Sequence, residues 1–307
     1  MSGPQFRVTL TTTTTFVPYV AASVATLREH NRTVPVAVFV DEPSPLLDRL
    51  ARKLDFDVHV VTVDPAEWSA VPARQTESVR SRIVKISSMF DAPTAQHLYL
   101  DSDTLVRTDI ALMSKELGDR LGTEDDLFSL LNRPVAPTLW GDRRLYFTDP
   151  DISRTAVVEL VHETFGVALP DSALDDMKCW NSGILLGSAP AMHELATRWL
   201  RHYRAMLPMA ATGRIIPRDQ LGFWLALWEM RETLRVREMP VRWNFMVGHL
   251  VPVPVGTESV DESAYAEAAI LHLAQNKDDP WALRLVSNAL QRTGTDRLIA
   301  DAGVTVD

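Results

Sequence analysis

Asp101 and Asp103, separated by one serine, follow the apolar run Leu98-Tyr99-Leu100 and are the pair in this sequence best suited to chemistry. In an extended segment, residues two apart project to the same side, so the two carboxylates converge near one point. Like charges at close range push one of the pair towards protonation unless a cation neutralises them. A divalent ion with a preference for hard oxygen ligands does this and keeps positions open for the oxygens of a diphosphate. A solvated loop or a helix cap after a strand would use the same residue types.

The surrounding elements decide where the pair stands. Residues 6–12 form a β-rich run, 18–30 carry apolar residues at helical spacing, and 34–40 are a continuous apolar run suited to a buried strand. Residues 44–54 read as a helix capped by Ser44, 57–63 as a strand, and 77–90 as a helix leading into the strand 97–100. This alternation predicts an α/β fold, a mostly parallel twisted Rossmann-like sheet flanked by helices on both faces. Ligands of such sheets bind beyond the carboxyl ends of the strands, where Asp101 and Asp103 fall. Residues 133–178, rich in Pro, Asp and Arg and containing Trp140 and Tyr146, read as an excursion that shapes a second ligand site. A strand over 180–187, helices over 190–206 and 217–231, a short strand over 269–273 and a helix from Pro280 onward complete the prediction. No repeat or linker divides the chain, so one domain is expected over 1–307.

Between Gly3 and Gly118 there is no glycine. A P-loop or a dinucleotide-binding turn needs glycine directly after the first strand so that backbone can approach a phosphate, and both are therefore excluded. The Gly-rich N-terminal loop of sugar-phosphate nucleotidylyltransferases is excluded on the same ground. A nucleotide can still bind if a metal ion takes over the cradling of its phosphates.

Composition narrows the classes further. A chain of 307 residues with 46% hydrophobic content can bury one large core, or a core with a modest lid. A net charge of −9 provides no field for nucleic acid or an anionic membrane surface, so neither is an expected partner. No stretch reaches the roughly 18 uninterrupted apolar residues of a membrane span, and the first ten residues lack the pattern of a secretory signal, so a cytoplasmic location is expected. The single cysteine, Cys179, excludes an intramolecular disulfide and a thiol-rich zinc site. Manganese, magnesium or calcium on oxygen ligands stays open. Only five of the 31 basic residues are lysine, which makes Lys85 and Lys277 worth locating.

Five segments carry a resemblance to a known family: VTLTTTTTFVPYVAASVATLREHN, VKISSMFDAPTAQHLYLDSDTLV, CWNSGILL, RDQLGFWLAL and ILHLAQNKDDPW, in that order and spanning residues 8–281. They resemble the corresponding blocks of the retaining GT-A glycosyltransferases, the family that includes glycogenin, galactinol synthases and bacterial lipopolysaccharide glycosyltransferases. The resemblance implies one GT-A domain, with a nucleotide-binding half over about 1–105, a sugar and acceptor half over 106–281 and a C-terminal helical tail over 282–307. It also implies a retaining hexosyltransferase that moves a sugar from a nucleoside-diphosphate sugar, UDP-hexose such as UDP-glucose being favoured, to a hydroxyl acceptor. The cofactor implied is Mn2+, or Mg2+.

Roles follow from the resemblance position by position. Thr9, Leu10 and Thr11 would hold the uridine, with Phe16 where the family has a base-stacking Tyr; Thr14 stands where an acid is usual. Lys85 matches a basic residue that contacts the donor, with Arg80 and Arg82 as nearby alternatives. Asp101 and Asp103 would bind the metal, with Ser102 near the ribose and His272 as the third protein ligand. Asn181, Ser182, Gly183, Asp219 and Gln220 would surround the transferred sugar, with Asp219, Gln220 and Asn181 closest to the anomeric carbon. Read without the family, His272 is a structural histidine on an apolar strand and Asp219 an acid placed favourably at a helix N-terminus. The loop after His272 departs from the family: Asn276-Lys277-Asp278-Asp279 precedes Pro280-Trp281, with the usual glycine missing, so Lys277 would reach the donor phosphate from a displaced position. Trp140, Trp180 and Trp243 are expected near the cleft, where they could stack on sugar faces, and Trp199, Trp224 and Trp228 in the core.

Two other classes use related features. Aspartate-nucleophile phosphatases carry the same Asp-x-Asp after an apolar strand, the first Asp attacking phosphorus, but there the motif normally ends the first strand, and Leu105 stands where Thr or Val is expected. A catalytically inactive nucleotide-sugar-binding protein would share every feature of the donor site.

Overall fold

The computed structural model describes residues 6–69, 71–91, 96–117, 126–129, 138–248 and 262–304. Its strands are β1 (Phe6–Thr12), β2 (Val36–Val40), β3 (Asp57–Val60), β4 (Gln96–Leu100), β5 (Thr104–Val106), β6 (Asp126–Ser129), β7 (Ile184–Ser188), β8 (Arg235–Glu238), β9 (Phe245–Met246) and β10 (Ile270–His272). Its helices are α1 (Val17–His30), α2 (Pro45–Leu54), α3 (Ala73–Ser88), α4 (Ala111–Leu117), α5 (Leu139–Asp142), α6 (Arg154–Phe165), α7 (Ala173–Asp176), α8 (Ala189–Ala211), α9 (Asp219–Glu229), α10 (Pro280–Thr293) and α11 (Asp296–Ala300).

Local chemistry accounts for the first α/β units. All five residues of β2 are buried, as a strand covered on both faces requires. In α2, the Ser44 hydroxyl accepts from the Leu47 N–H at 3.3 Å, Pro45 opens the first turn, and Leu46, Leu47, Leu50 and Leu54 are buried. The chain leaves α2 through Asp55 in the left-handed region, a conformation Asp tolerates better than most residues.

Seven strands form one sheet in the order β3-β2-β1-β4-β7-β6-β8. β3, β2, β1 and β4 are parallel, β7 runs antiparallel to β4 and β6, and β6 and β8 are parallel. Alternation along the strands feeds two cores. Val8, Leu10, Leu98 and Leu100 pack on the side of α1, α2 and α10, whereas Ala37, Phe39 and Tyr99 face α3, α8 and α9. The mostly parallel α/β sheet flanked by helices is thus borne out.

A second sheet, β5-β10-β9, positions the site. The chain leaves β4 at Leu100, turns through Asp101-Ser102-Asp103, and enters β5. β10 returns antiparallel to β5 with His272 opposite Thr104, and the Leu273 N–H donates to the Asp103 carbonyl at 2.9 Å. This register carries His272 to the two aspartates across a long stretch of sequence.

Several boundaries differ from those read in the sequence. The strand expected over 180–187 begins only at Ile184, because the Asn181 carboxamide oxygen accepts from the Gly183 N–H at 2.9 Å and turns the chain first. The helix expected from near Pro217 begins at Asp219, after an extended Arg218. The helix expected to end near Met206 runs on through Pro208 to Ala211. The expected excursion contains a full helix, α6, capped by Ser153 and closed by Gly166 at φ 68°; its residues 133–137 lie outside the described residues.

Candidate active site

Asp101, the first of the acid pair, is held by unambiguous donors. The Tyr99 hydroxyl donates to Asp101 Oδ1 at 2.7 Å, and Lys85 Nζ lies 2.9 Å from the same oxygen. The Asp101 N–H donates to the Gly183 carbonyl at 2.7 Å. His272 Nε2 stands 3.5 Å from Asp103 Oδ1 and 3.8 Å from Asp101 Oδ2.

The protonation of that histidine follows from a chain of bonds that starts at a backbone amide. The Gly183 N–H can only donate, so the Asn181 atom it meets is the carbonyl oxygen. Asn244 Nδ2 donates to that same oxygen at 3.0 Å, which turns the Asn244 oxygen towards His272 Nδ1 at 2.9 Å. Nδ1 therefore carries the proton in the neutral ring, and the Nε2 lone pair faces two carboxylates. Two carboxylates and an imidazole lone pair converging on one point suit a cation. The ligand atoms of Asp101, Asp103 and His272 all lie within 4.8 Å of one another, and two carboxylates with one imidazole suit a divalent metal. Without an ion the ring takes up a proton more readily than usual. Burial alone would lower its pKa, but the charges of Asp103 and Asp101 outweigh burial and raise it. Asp103 is held below its ordinary range because the His272 contact outweighs the cost of burial.

Gly183 is required by this packing. A Cβ there would stand 2.2 Å from His272 Cε1 and 2.7 Å from Asp101 Oδ2, so any side chain would displace the ligand set.

A cleft of about 220 Å³ opens beside the acid pair, bounded by the ends of β1 and β4, by α3 and by the start of α9. The charged residues lining it are Asp101, Asp103 and Asp219 against Arg82, Lys85 and Lys277, three acids facing three cations. A divalent ion added to this balance would give the cleft the net positive charge that a diphosphate needs. Lys85 is buried on α3, with its ammonium 3.1 Å from Ser182 Oγ and 3.4 Å from Asp219 Oδ2 in addition to its Asp101 contact. Burial would lower its pKa, but Asp101 and Asp219 raise it, so Lys85 stays charged. Asp219 is lowered in turn, since Lys85 and Arg82 outweigh its burial. Tyr99 is pushed far up by burial and by Asp101, which keeps its hydroxyl a donor.

The other expected site residues divide between the cleft and its walls. Thr11, Phe16, Ser102 and Lys277 line the cleft, while the Thr9 and Leu10 side chains are fully buried in β1. Asn181 and Gly183 stand beside the acids through the bonds described above. Ser182 donates to Asp219 Oδ2 at 3.3 Å, and Gln220 accepts from the Tyr146 hydroxyl at 2.9 Å. Lys277 is held 3.2 Å from Asp278 Oδ2, with its ammonium 5.7 Å from the centroid of the Phe16 ring. Of the tryptophans expected near sugars, Trp243 is fully buried and donates to Glu116 at 2.7 Å, so it offers no face to a ligand. The guanidinium groups of Arg143 and Arg154 stand over the Trp140 ring, 4.3 and 4.6 Å from its centroid, and Trp180 is 8% exposed. Sequence reasoning passed over Thr12, Tyr99 and Asn244. Tyr99 was signalled only by its place beside the acid pair, and nothing in the sequence marks Asn244.

Solved structures share this architecture. The galactosyltransferase LgtC in complex with donor and acceptor sugar analogues matches with a TM-score of 0.54 at 14% identity, over 94% of this chain and 95% of that one. The bifunctional glycosyltransferase WbbM matches at 0.56 and 14% identity, over 94% of this chain and 50% of that one. Mouse xyloside xylosyltransferase 1 matches at 0.50 and 16% identity, over 88% and 98%. No protein-family model matches the chain, and no curated relative matches it in sequence. The chain has the GT-A fold, the architecture expected from the sequence. Among the described residues no helix is long and apolar enough to cross a membrane.

Proposed function

We propose that this chain is a metal-dependent retaining glycosyltransferase that moves a hexose from a nucleoside-diphosphate sugar, UDP-hexose such as UDP-glucose being favoured, to a hydroxyl acceptor. The observation that carries the reading is the set of Asp101, Asp103 and His272, with the Nε2 lone pair aimed at two carboxylates at the carboxyl end of β4. In this reading these three residues hold Mn2+ or Mg2+, and Thr11, Phe16, Ser102, Lys85 and Lys277 line the path of the donor, with the nucleotide-binding half over about 1–105 and the sugar side over 106–281.

Breaking the bond between a sugar and a diphosphate places negative charge on the leaving oxygens and positive charge on an oxocarbenium-like carbon. The bound metal supplies Lewis-acid stabilisation of the leaving diphosphate, so no protonated leaving group is needed. Lys85 adds a fixed positive charge to the same side of the cleft. Asp219, kept ionised by Lys85 and Arg82, opposes it as the anion facing the sugar carbon. Asn181 and Gln220 complete the sugar side, each oriented by a second residue, Asn244 and Tyr146 respectively. The buried, hydrogen-bonded setting fixes these charges in advance of the reaction, which is where most of the catalytic benefit of such groups arises.

The test is incubation with a panel of nucleotide sugars, with and without manganese, read as release of free sugar and nucleoside diphosphate. Metal-dependent release that is lost in Asp103→Asn supports transfer. Release of inorganic phosphate from phosphomonoesters would identify a phosphatase instead, and binding without turnover across a broad acceptor screen would identify a non-catalytic binding protein.

A further inference from the structure

Arg82 lies on α3 one turn before Lys85 and lines the same cleft, with a quarter of its side chain exposed. Its guanidinium spans two partners on one segment. One terminal nitrogen donates to the Pro217 carbonyl at 2.7 Å, and Nε lies 3.5 Å from Asp219 Oδ1. The other Asp219 oxygen belongs to Lys85, at 3.4 Å, and to the Ser182 hydroxyl, at 3.3 Å. Each carboxylate oxygen therefore faces its own cation, and the two cations come from successive turns of one rigid helix.

The backbone around Asp219 is tied at the same points. The Ile216 N–H donates to the Tyr146 carbonyl at 2.8 Å, the Arg218 N–H to the Ile216 carbonyl at 2.7 Å, and the Trp199 indole N–H to the Asp219 carbonyl at 2.8 Å. Within this set only Arg82 grips both the turn and the carboxylate it carries. The buried Tyr203 on α8 borders the guanidinium as well. A planar guanidinium can satisfy a carbonyl and a carboxylate together, whereas an ammonium on a flexible stem supplies the charge without the fork.

We propose that Arg82 is a positioning residue that fixes the turn 216–219 and the plane of the Asp219 carboxylate, so that the orientation of this anion depends on the shape of the guanidinium and not on its charge alone. The proposal rests on the reading of the cleft as a sugar-transfer site with Asp219 facing the sugar. Because Arg82 acts through Asp219, its loss lowers turnover more than donor binding.

The experiment uses the full chain with UDP-glucose and manganese, reading UDP release, and in parallel follows amide hydrogen exchange across residues 214–222 without substrate. Arg82→Met is expected to lower kcat by about 10²-fold with KM within about threefold. Arg82→Lys is expected to resemble Arg82→Met more than the wild type, and added guanidinium ion to restore part of the lost rate in Arg82→Met. Exchange across 214–222 is expected to quicken about tenfold in Arg82→Met while the melting midpoint confirms a folded protein. Full kcat in Arg82→Lys would overturn the proposal, since charge alone would then suffice. A raised KM with unchanged kcat would make Arg82 a donor-binding residue, and unchanged exchange would show that the turn is held by something else; either result overturns it. If the wild type releases nucleoside diphosphate from no nucleotide sugar, the transferase reading fails, and the exchange arm alone decides whether Arg82 holds the turn.

Discussion

His97 and His272 are both buried histidines in strands, 0% and 3% exposed, and their surroundings drive them in opposite directions. His97 stands near the amino end of β4, in register with Arg7 on β1, and neither of its ring nitrogens has a hydrogen-bond partner among the described residues. Burial, with the Arg7 charge added, pushes its pKa from the ordinary 6.5 down to about 4, against the weaker pull of Asp91. His272 ends β10 beside the turn that follows the carboxyl end of β4, among the carboxylates, with Nδ1 fixed by Asn244. Two apolar strands thus carry the same residue type to unlike ends. At the carboxyl ends the connecting turns bring acids to the ring and suit it to hold a cation, and at the amino end the ring is a neutral core residue. A strand histidine gains chemistry from the loops it meets.

The largest way to break this contrast is to remove an acid from the His272 side. Asp103→Asn should reduce metal-dependent release of UDP from UDP-glucose by at least about 10³-fold, the scale of several kcal/mol of lost charge stabilisation. Thermal unfolding of the variant should stay close to that of the wild type; residual metal-dependent turnover near the wild-type rate would remove Asp103 from the site.

On the His97 side the effect is on stability. A folded-state pKa of about 4 against an ordinary 6.5 means that the unfolded chain takes up the proton first as pH falls. The His97 contribution is therefore complete above about 6.5, declines between about 6.5 and about 4 and levels off below, a loss of about 3 kcal/mol. Urea unfolding at pH 7 and pH 4.5 should show this slope in the wild type and a flatter one in His97→Leu. An identical slope in both would show that other groups titrate in that window.

Asn244 sharpens the comparison because it is what His97 lacks, a partner that fixes one ring nitrogen. Asn244→Leu should weaken manganese binding by about 10- to 100-fold, as loss of an outer hydrogen bond to a ligating histidine generally does. Calorimetric titration with manganese alone measures this, and unchanged affinity would refute the bond chain from Gly183 to His272. The smallest effect is expected in the loop after His272. Asp278→Asn releases Lys277 from its ion pair, which is three-quarters exposed at the Asp278 end, and should tighten UDP binding by only about threefold.

The sequence carried the fold wherever a segment was long enough to show its period. The run Val36–Val40 and the capped, leucine-striped Pro45–Leu54 were legible because burial and capping leave marks residue by residue. β5, β6, β8 and β9, of two to four residues, are too short for a period, and they form because neighbouring strands supply their hydrogen bonds. α6 had both its signals, Ser153 before it and Gly166 after it, but its valines and the Pro- and Asp-rich flanks masked them. Asp101 and Asp103 were legible from local spacing, whereas His272 needed a register set by an antiparallel return between β5 and β10, which no local pattern encodes. Asn244 acts through two hydrogen bonds, to Asn181 and to His272, both distant in sequence, and such a partner is visible only in three dimensions.

The central claim is that the phosphates of a nucleotide are met here by a metal held on Asp101, Asp103 and His272, in a chain with no glycine between Gly3 and Gly118 to hold them. Calorimetric titration of UDP into the protein, with manganese and after chelation, tests it most directly. The account predicts binding with manganese, at least about tenfold weaker binding after chelation, and an Asp103→Asn protein that behaves in manganese as the wild type does without it. Equal UDP affinity in the wild type with and without metal would contradict it.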